Sequence, residues 1–137
     1  MGLVLDSSVL IASEREDKPV SDLLIGLQEK HGGQDVLLSS ITVLEFEHGL
    51  HRAKTDAVKE KRRAYLDTVF TAIPIQPFTK EMGQLAGRIE AETRAAGQVI
   101  PLPDLVIGET ALYLDCTIVT ANPRHFRMIP GLRVLDA

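Results

Sequence analysis

Short apolar runs separated by longer amphipathic stretches form the pattern of this chain. Five runs have the length and composition of buried strands. Leu3, Val4 and Leu5 follow one another with no polar residue between them, which is typical of a strand buried on both faces of a parallel sheet. The predicted strands are residues 3–5, 36–38, 73–78, 116–120 and 132–135.

The stretches between these runs have apolar residues at helical spacing. Either Ser7 or Ser8 could cap the first helix, which Val9, Leu10 and Ile11 begin, and Thr79 is a candidate cap for a later one. Gly32 and Gly97 are predicted stops. The other helical stretches are residues 17–31, 41–50, 56–70, 79–96 and 105–114. This alternation predicts an α/β fold in one domain, residues 1–137, with a mostly parallel central sheet of four to five strands and helices on both faces.

The composition indicates in which compartment the protein resides and whether it crosses a membrane. The 137 residues are 45% hydrophobic and 25% charged, and no apolar run approaches the roughly 20 residues of a membrane helix. The N-terminus lacks the charged and apolar segments of a signal peptide, so we expect a cytoplasmic protein without a membrane partner. Cys116 is the only cysteine, and its apolar context predicts a buried, reduced thiol.

The formal net charge of −4 argues weakly against binding nucleic acid through overall positive charge. One basic run is the exception, and it has two interpretations. It is either a solvated helix face or a surface free to contact phosphates. Its members are Arg52, Lys54, Lys59, Lys61, Arg62 and Arg63.

Three acids and one amide lie where predicted strands end or where the following helices begin. Asp6 ends the first strand, and Glu45 lies near the start of the helix after the second. Asp104 is in the first turn of a nearly all-apolar helix, and Asn122 follows the fourth strand. Because parallel strands end at one edge of the sheet, we expect these side chains to meet there. The alternative for Asp6 and Asp104 is a structural role as caps or turn residues.

Carboxylates brought this close repel one another unless a cation joins them, and Mg²⁺ or Mn²⁺ prefers such oxygen ligands. A metal ion held in this way activates water and neutralises a phosphate, so the pattern predicts phosphodiester hydrolysis by in-line attack. The sequence offers no plausible Ser–His–Asp or Cys–His set and no glycine-rich phosphate loop. Both absences fit a reaction that needs no nucleophilic side chain.

Four segments also carry a family resemblance: VLDSSVLI (4–11), EFEHG (45–49) after two serines, PDLVI (103–107) and VTANPRHF (119–126). In this order they resemble the PIN-domain endoribonucleases, and within them the VapC toxins of bacterial toxin–antitoxin pairs. Each segment alone is a weak match to the family, but the four together, in the family's order, span nearly the whole chain. The resemblance implies a PIN-like three-layer α/β/α fold and cleavage of structured RNA such as tRNA or rRNA.

The resemblance also implies roles for individual residues. Asp6 and Asp104 would be the principal ligands of Mg²⁺, with Mn²⁺ as a possible substitute, and Glu45 a third acidic member that positions metal or water. The supporting residues would be Ser8, which helps to hold the first carboxylate, and Thr120. Asn122 stands where the family often has Asp, and its amide oxygen adds no charge, so a second strongly held metal is in doubt. The implied partners are a small antitoxin protein that blocks the site and a second copy of the chain in a homodimer.

Other interpretations concern single residues. Glu45 and His48 have the spacing of a helical carboxylate–histidine metal pair, but a di-iron bundle needs a second such motif, which is absent from the sequence. Glu109 interrupts an apolar helix, and it either lines the site or, as we favour, faces the one wet edge of that helix. Arg124 and His125 form a short basic loop whose contact with RNA is left open.

Two other function classes are compatible with parts of this sequence. Phosphoryl transfer through an aspartyl nucleophile suits Asp6, but such enzymes usually carry a second Asp two residues later, where this chain has Ser8. A non-cleaving RNA- or partner-binding module with the same fold is the main alternative. Asn122 favours that module, whereas the intact acids Asp6, Glu45 and Asp104 oppose it.

Overall fold

The structure, a computed structural model, describes residues 2–137, and its centre is a five-stranded sheet in which all neighbouring strands are parallel. The strand order across the sheet is β3-β2-β1-β4-β5. The strands are β1 (Gly2–Leu5), β2 (Asp35–Ser39), β3 (Ile75–Gln76), β4 (Thr117–Thr120) and β5 (Arg133–Asp136). The predicted α/β fold is therefore confirmed, with β3 shorter than the predicted third strand.

Helices connect the strands and cover the sheet. They are α1 (Ser7–Arg15), α2 (Val20–His31), α3 (Ser40–His51), α4 (Asp56–Ala72), α5 (Lys80–Ala95) and α6 (Leu102–Tyr113). A short 3₁₀ helix, Phe126–Met128, lies between β4 and β5. In the described part of the chain no helix is long and apolar enough to cross a membrane.

The alternation of side chains along β1 divides the core into two layers. Leu3 and Leu5 pack in one cluster with residues of α1, α2 and α4, whereas Val4 packs in another with Ile107 and Ala111 of α6. All three β1 side chains are at most 1% exposed, so each stabilises the fold by roughly 1.5–3 kcal/mol. Strand β1 is therefore a rigid base for the residue that follows it.

Thr79, Gly32 and Gly97 lie at helix termini, as the sequence predicts, and Ser39 adds a further cap. Thr79 accepts a hydrogen bond from the Met82 N–H at 3.2 Å, and Ser39 caps α3 by accepting from Ile41 N–H at 3.4 Å. Gly32 and Gly97 both have φ of +79°, the left-handed region that favours glycine at the end of a helix.

Two predicted helix starts are wrong. Neither Ser7 nor Ser8 caps α1, because the cap position belongs to Asp6 and its side chain makes no capping bond. Helix α6 begins at Leu102 rather than at 105, since Pro103 occupies the first turn, where a missing N–H costs nothing.

The favoured prediction for Glu109 is also wrong, because this residue faces no wet edge. Its side chain is 0% exposed within α6, and only Thr110 reaches it, through a hydroxyl that donates to Oε1 at 3.0 Å. Its Oε2 has no hydrogen-bond partner among residues 2–137. Burial raises the pKa of Glu109 to about 7. Helix α6 is covered on all sides at this position, which a single-sequence pattern does not reveal.

Candidate active site

Asp6 lies at the carboxyl end of β1, and its backbone is fixed to the neighbouring strand. Its N–H donates to the Val119 carbonyl at 2.9 Å, and the residue is only 5% exposed. Its carboxylate atom Oδ2 accepts hydrogen bonds from the hydroxyls of Ser8, at 2.7 Å, and Thr120, at 2.8 Å. The side chain is therefore held from two elements, α1 and β4.

The same two hydroxyls also accept hydrogen bonds from the backbone that follows β4. Ser8 Oγ accepts from Ala121 N–H at 3.0 Å, and Thr120 Oγ1 accepts from Asn122 N–H at 2.9 Å. Each hydroxyl thus has its proton directed at Asp6 and a lone pair directed at a fixed donor. Asp6 Oδ1, in contrast, has only a long contact of 3.5 Å to Ser7 Oγ. This arrangement leaves Oδ1 as the less engaged oxygen.

Glu45 lies in the second turn of α3, the helix that starts directly after β2. Burial raises the pKa of Glu45 to about 7, and the negative charges of Asp6 and Asp104 add to the increase, while a hydrogen bond from Ser7 opposes it. Its Oε1 is buried and has no hydrogen-bond partner among the described residues. The three acids therefore share one electrostatic environment, as their positions at strand ends predict.

Asp104 lies in the first turn of α6, and a histidine from the loop after β4 contacts it. His125 Nδ1 is 2.8 Å from Asp104 Oδ2. Burial raises the pKa of Asp104 and the charge of Asp6 adds to this, whereas the hydrogen bond and charge of His125 lower it. From the sequence, His125 is only a member of a short basic loop, with no predicted contact to an acid. Its position after β4 was a usable signal, because that loop lies at the edge where the strands end.

The donor set fits a divalent cation in its chemistry. Carboxylate oxygens are the ligands that Mg²⁺ and Mn²⁺ prefer, and a buried, unpartnered oxygen such as Glu45 Oε1 costs roughly 1–3 kcal/mol unless a proton or a cation satisfies it. Within residues 2–137, no three His, Cys, Asp or Glu side chains already stand at metal-binding spacing. Because the acids repel one another, an ion bound here would have to draw them closer together.

Other sequence-predicted residues lie at the margin of this group. Asn122 is exposed, and its backbone, not its amide, makes the contact to Thr120. His48 is exposed too, and His51 pairs with Glu47 at 2.7 Å. The role of Asn122 as a weak metal ligand stays a prediction.

Half of the basic run is neutralised by neighbouring acids. Arg63 makes two hydrogen bonds of 2.9 Å to Glu47. Lys61 lies 3.2 Å from Asp17, and Arg62 lies 3.5 Å from Glu14. These three cations are therefore held on the surface of α4 by pairs with α1 and α3 or the turn after α1, in accord with a solvated helix face.

The chain is similar to known proteins both in sequence and in structure. The PIN domain family matches residues 3–132. Ribonuclease VapC1 of Rickettsia felis is 30% identical over 135 residues, which cover 98% of this chain and 96% of that protein. The tRNA(fMet)-specific endonuclease VapC of Salmonella typhimurium is 27% identical over 99 residues, 72% of this chain and 73% of the relative. The crystal structure of VapBC2 from Rickettsia felis, bound to a DNA fragment from its promoter, superposes with a TM-score of 0.85 at 23% identity and covers 100% of this chain and 99% of that one.

Proposed function

The chain belongs to the PIN domain family, and we propose that it is a metal-dependent endoribonuclease that hydrolyses phosphodiester bonds in structured RNA. The observation that carries the proposal is the buried Glu45 Oε1, which has no hydrogen-bond partner among the described residues. The negative charges of Asp6 and Asp104 also act on this carboxyl group and raise its pKa. An acidic group of this kind, at the carboxyl edge of a parallel sheet where such folds bind their ligands, suits a divalent cation that in turn binds a phosphate.

In the proposed site, Asp6, Glu45 and Asp104 would hold Mg²⁺ or Mn²⁺, and the Asn122 amide oxygen would be a weaker fourth ligand. The bound ion would lower the pKa of a water molecule and neutralise charge on the phosphate. Ser8 and Thr120 keep the Asp6 carboxylate in one orientation through Oδ2. Their rigidity matters because a displacement of about 1 Å in a positioning group costs roughly a hundredfold in rate.

The substrate we propose is tRNA or rRNA in the cytoplasm. Support comes from relatives named as ribonucleases and from one named as a tRNA(fMet)-specific endonuclease. By the same resemblance the chain would act as the toxin of a toxin–antitoxin pair, and a small antitoxin would cover the acidic site. The likeness to the VapBC2 structure supports this partner.

We propose further that the chain forms a homodimer through a groove between α3, α5 and α6. Three exposed apolar side chains line this groove of about 520 Å³: Leu44, Phe78 and Leu102. Gly83 and Gly87 lie four positions apart on α5 and leave room for another backbone to approach closely. Within the described chain only the Phe78 ring comes near Gly83, and nothing comes near Gly87. A second copy would supply that contact.

The dimer is tested by light scattering after gel filtration. The mass should be twice 15.0 kDa for the parent and fall toward 15.0 kDa for Leu102→Lys, which places a charge on a side chain that is 62% exposed in one copy. Val99→Lys is the matched control, because Val99 is 61% exposed but does not line the groove. A monomeric parent protein would contradict the dimer and leave the nuclease proposal untouched.

The nuclease is tested with a total tRNA and rRNA pool and purified, antitoxin-free protein in Mg²⁺, Mn²⁺ or EDTA. Discrete fragments should form with either metal and disappear with EDTA. Asp104→Ala and Asp6→Asn should each lower cleavage by at least about a hundredfold while keeping the helical circular dichroism of the parent, because each removes one charge from the acidic group. Cleavage by Asp6→Asn at the parental rate would refute the assignment.

The second candidate is a non-cleaving binding module with the same fold. The exposed Asn122, an amide where a fourth acid would add charge, favours it. Folded protein that binds RNA but yields no fragments with any metal would establish this alternative in place of the nuclease.

A further inference from the structure

The end of β4 and the loop that follows it together contact both principal acids of the site. Thr120, the last residue of β4, donates to Asp6 Oδ2 at 2.8 Å. Five residues later, His125 Nδ1 lies 2.8 Å from Asp104 Oδ2. One segment of chain therefore reaches two carboxylates that belong to different elements, α6 and the end of β1.

We infer that His125 is a positioning residue, which holds Asp104 through Oδ2 so that Oδ1 remains available to a divalent cation. The inference rests on the proposed metal-dependent function. It assigns to His125 a role toward the carboxylate, distinct from contact with RNA. A carboxylate only accepts hydrogen bonds, so Nδ1 carries the proton in this pair and Nε2 is left for solvent.

The backbone around His125 is fixed firmly enough for this role. The next residue, Phe126, is 1% exposed and packs in the cluster that contains Val4 and Ile107. The His125 carbonyl accepts from Met128 N–H at 3.1 Å, and the Pro123 carbonyl accepts from Arg127 N–H at 3.0 Å. The imidazole thus projects from an anchored turn, although the ring itself is 32% exposed.

The hydrogen bond from His125 restrains the orientation of the Asp104 carboxylate. Its side chain is 27% exposed, so without a partner its rotamers would be only partly restrained by packing. A hydrogen bond to a charged acceptor is stronger than one between neutral groups, and it selects one carboxylate orientation. Groups that orient metal ligands in this way typically change metal affinity by about 10–100-fold. Asp6 is restrained in the same way, by the hydroxyls of Ser8 and Thr120 that donate to its Oδ2.

The test measures Mn²⁺ binding directly, by calorimetry on metal-free protein without RNA. We expect His125→Ala to weaken Mn²⁺ binding by about tenfold. His125→Asn should stay within about threefold of the parent, because the amide Nδ2 can donate from nearly the position of Nδ1. Arg127→Ala, an exposed position on the same turn, is the matched control and should bind Mn²⁺ like the parent.

RNA cleavage separates positioning from substrate contact. For His125→Ala, the lost rate should return as Mn²⁺ is raised, with the KM for RNA unchanged. An RNA-contacting role would instead raise that KM and leave Mn²⁺ affinity intact, which would overturn the inference. Equal loss of Mn²⁺ affinity in the Asn and Ala variants would overturn it too, because then the donor is not what matters. A parent protein that binds no Mn²⁺ would defeat the proposed function itself, whereas parental affinity in His125→Ala would defeat only this inference.

Discussion

Thr120 donates a hydrogen bond to Asp6 across 2.8 Å, although the two residues are 114 positions apart in the chain. The Thr120 side chain is fully buried and Asp6 is 5% exposed, so this bond forms out of contact with bulk water. It joins the ends of two neighbouring parallel strands, β1 and β4. The geometry of the acidic site therefore depends on correct pairing between the first and fourth strands.

Replacing Thr120 with Val should uncouple this pair. The change keeps the shape of the side chain but removes the donor to Asp6 and the acceptor for Asn122 N–H. We expect a loss of about 1–3 kcal/mol in the free energy of unfolding, measured in urea, and weaker Mn²⁺ binding. Thr120→Ser retains the hydroxyl and should lie much nearer the parent in both measurements. Equal effects of Val and Ser would show that packing, not the hydrogen bond, is responsible.

Glu109 should make stability fall as pH rises. Its pKa is about 7 in the folded protein and near 4.5 in the unfolded chain, so between these values unfolding releases a proton. Below pH 4.5 both states are protonated and the residue has no effect on stability. As the pH increases from 4.5 to 7, stability decreases by up to about 3 kcal/mol, and above that range the loss is complete.

Glu109→Gln isolates this effect, because the variant is neutral at every pH while the other acids are unchanged. The free energy of unfolding should be measured in urea at pH 5, 6, 7 and 8 for both proteins. The free energy of unfolding of the parent should fall relative to that of the variant as pH rises. A constant difference in stability between the two proteins does not affect this comparison. Parallel pH profiles would contradict the raised pKa of Glu109.

The paired part of the basic run should be dispensable for RNA cleavage. In the double variant Lys61→Ala, Arg62→Ala, two cations disappear that already lie beside Asp17 and Glu14. We expect kcat/KM to stay within about twofold of the parent at both 50 and 200 mM salt, because phosphate contacts would make cleavage steeply salt-dependent. A large drop that deepens at low salt would instead assign these residues to an RNA surface.

Cys116 should be unreactive in the native protein. The residue is 6% exposed, and burial raises the pKa of its thiol, so little thiolate is present or accessible. A thiol-reactive chromogenic disulfide at pH 8 should label almost none of the folded chain within minutes. The same reagent should label one thiol per chain in 8 M urea. Stoichiometric labelling without urea would contradict the buried position.

The sheet was predictable because each strand is a short apolar run with turn or cap residues beside it. Leu3–Leu5 is the clearest case, since no polar residue interrupts it and the structure buries it completely. The convergence of Asp6, Glu45 and Asp104 followed from topology alone, because parallel strands place their carboxyl ends at one edge. Both results depend on local patterns and on a general rule of parallel sheets.

The errors concern features that depend on packing between elements. Glu109 is flanked by apolar residues, and only the assembled helices decide that it faces no solvent. The apolar pattern predicts the start of α6 three residues too late, because Leu102 and Pro103 precede the continuous apolar run, although a proline is tolerated in the first turn of a helix. The contact from His125 to Asp104 spans 21 positions and depends on how the loop after β4 folds back, which periodicity does not encode.

The 114-residue separation of Asp6 and Thr120 has a consequence for biosynthesis. At a translation rate of about 5–20 residues per second, roughly 6 to 23 s pass between the synthesis of the two residues. During that interval Asp6 has neither the Thr120 donor nor strand β4 beside it. A nascent chain, or a fragment truncated before β4, therefore lacks the donor and the neighbouring strand that orient Asp6, so the acidic site becomes organised only after β4 has been synthesised.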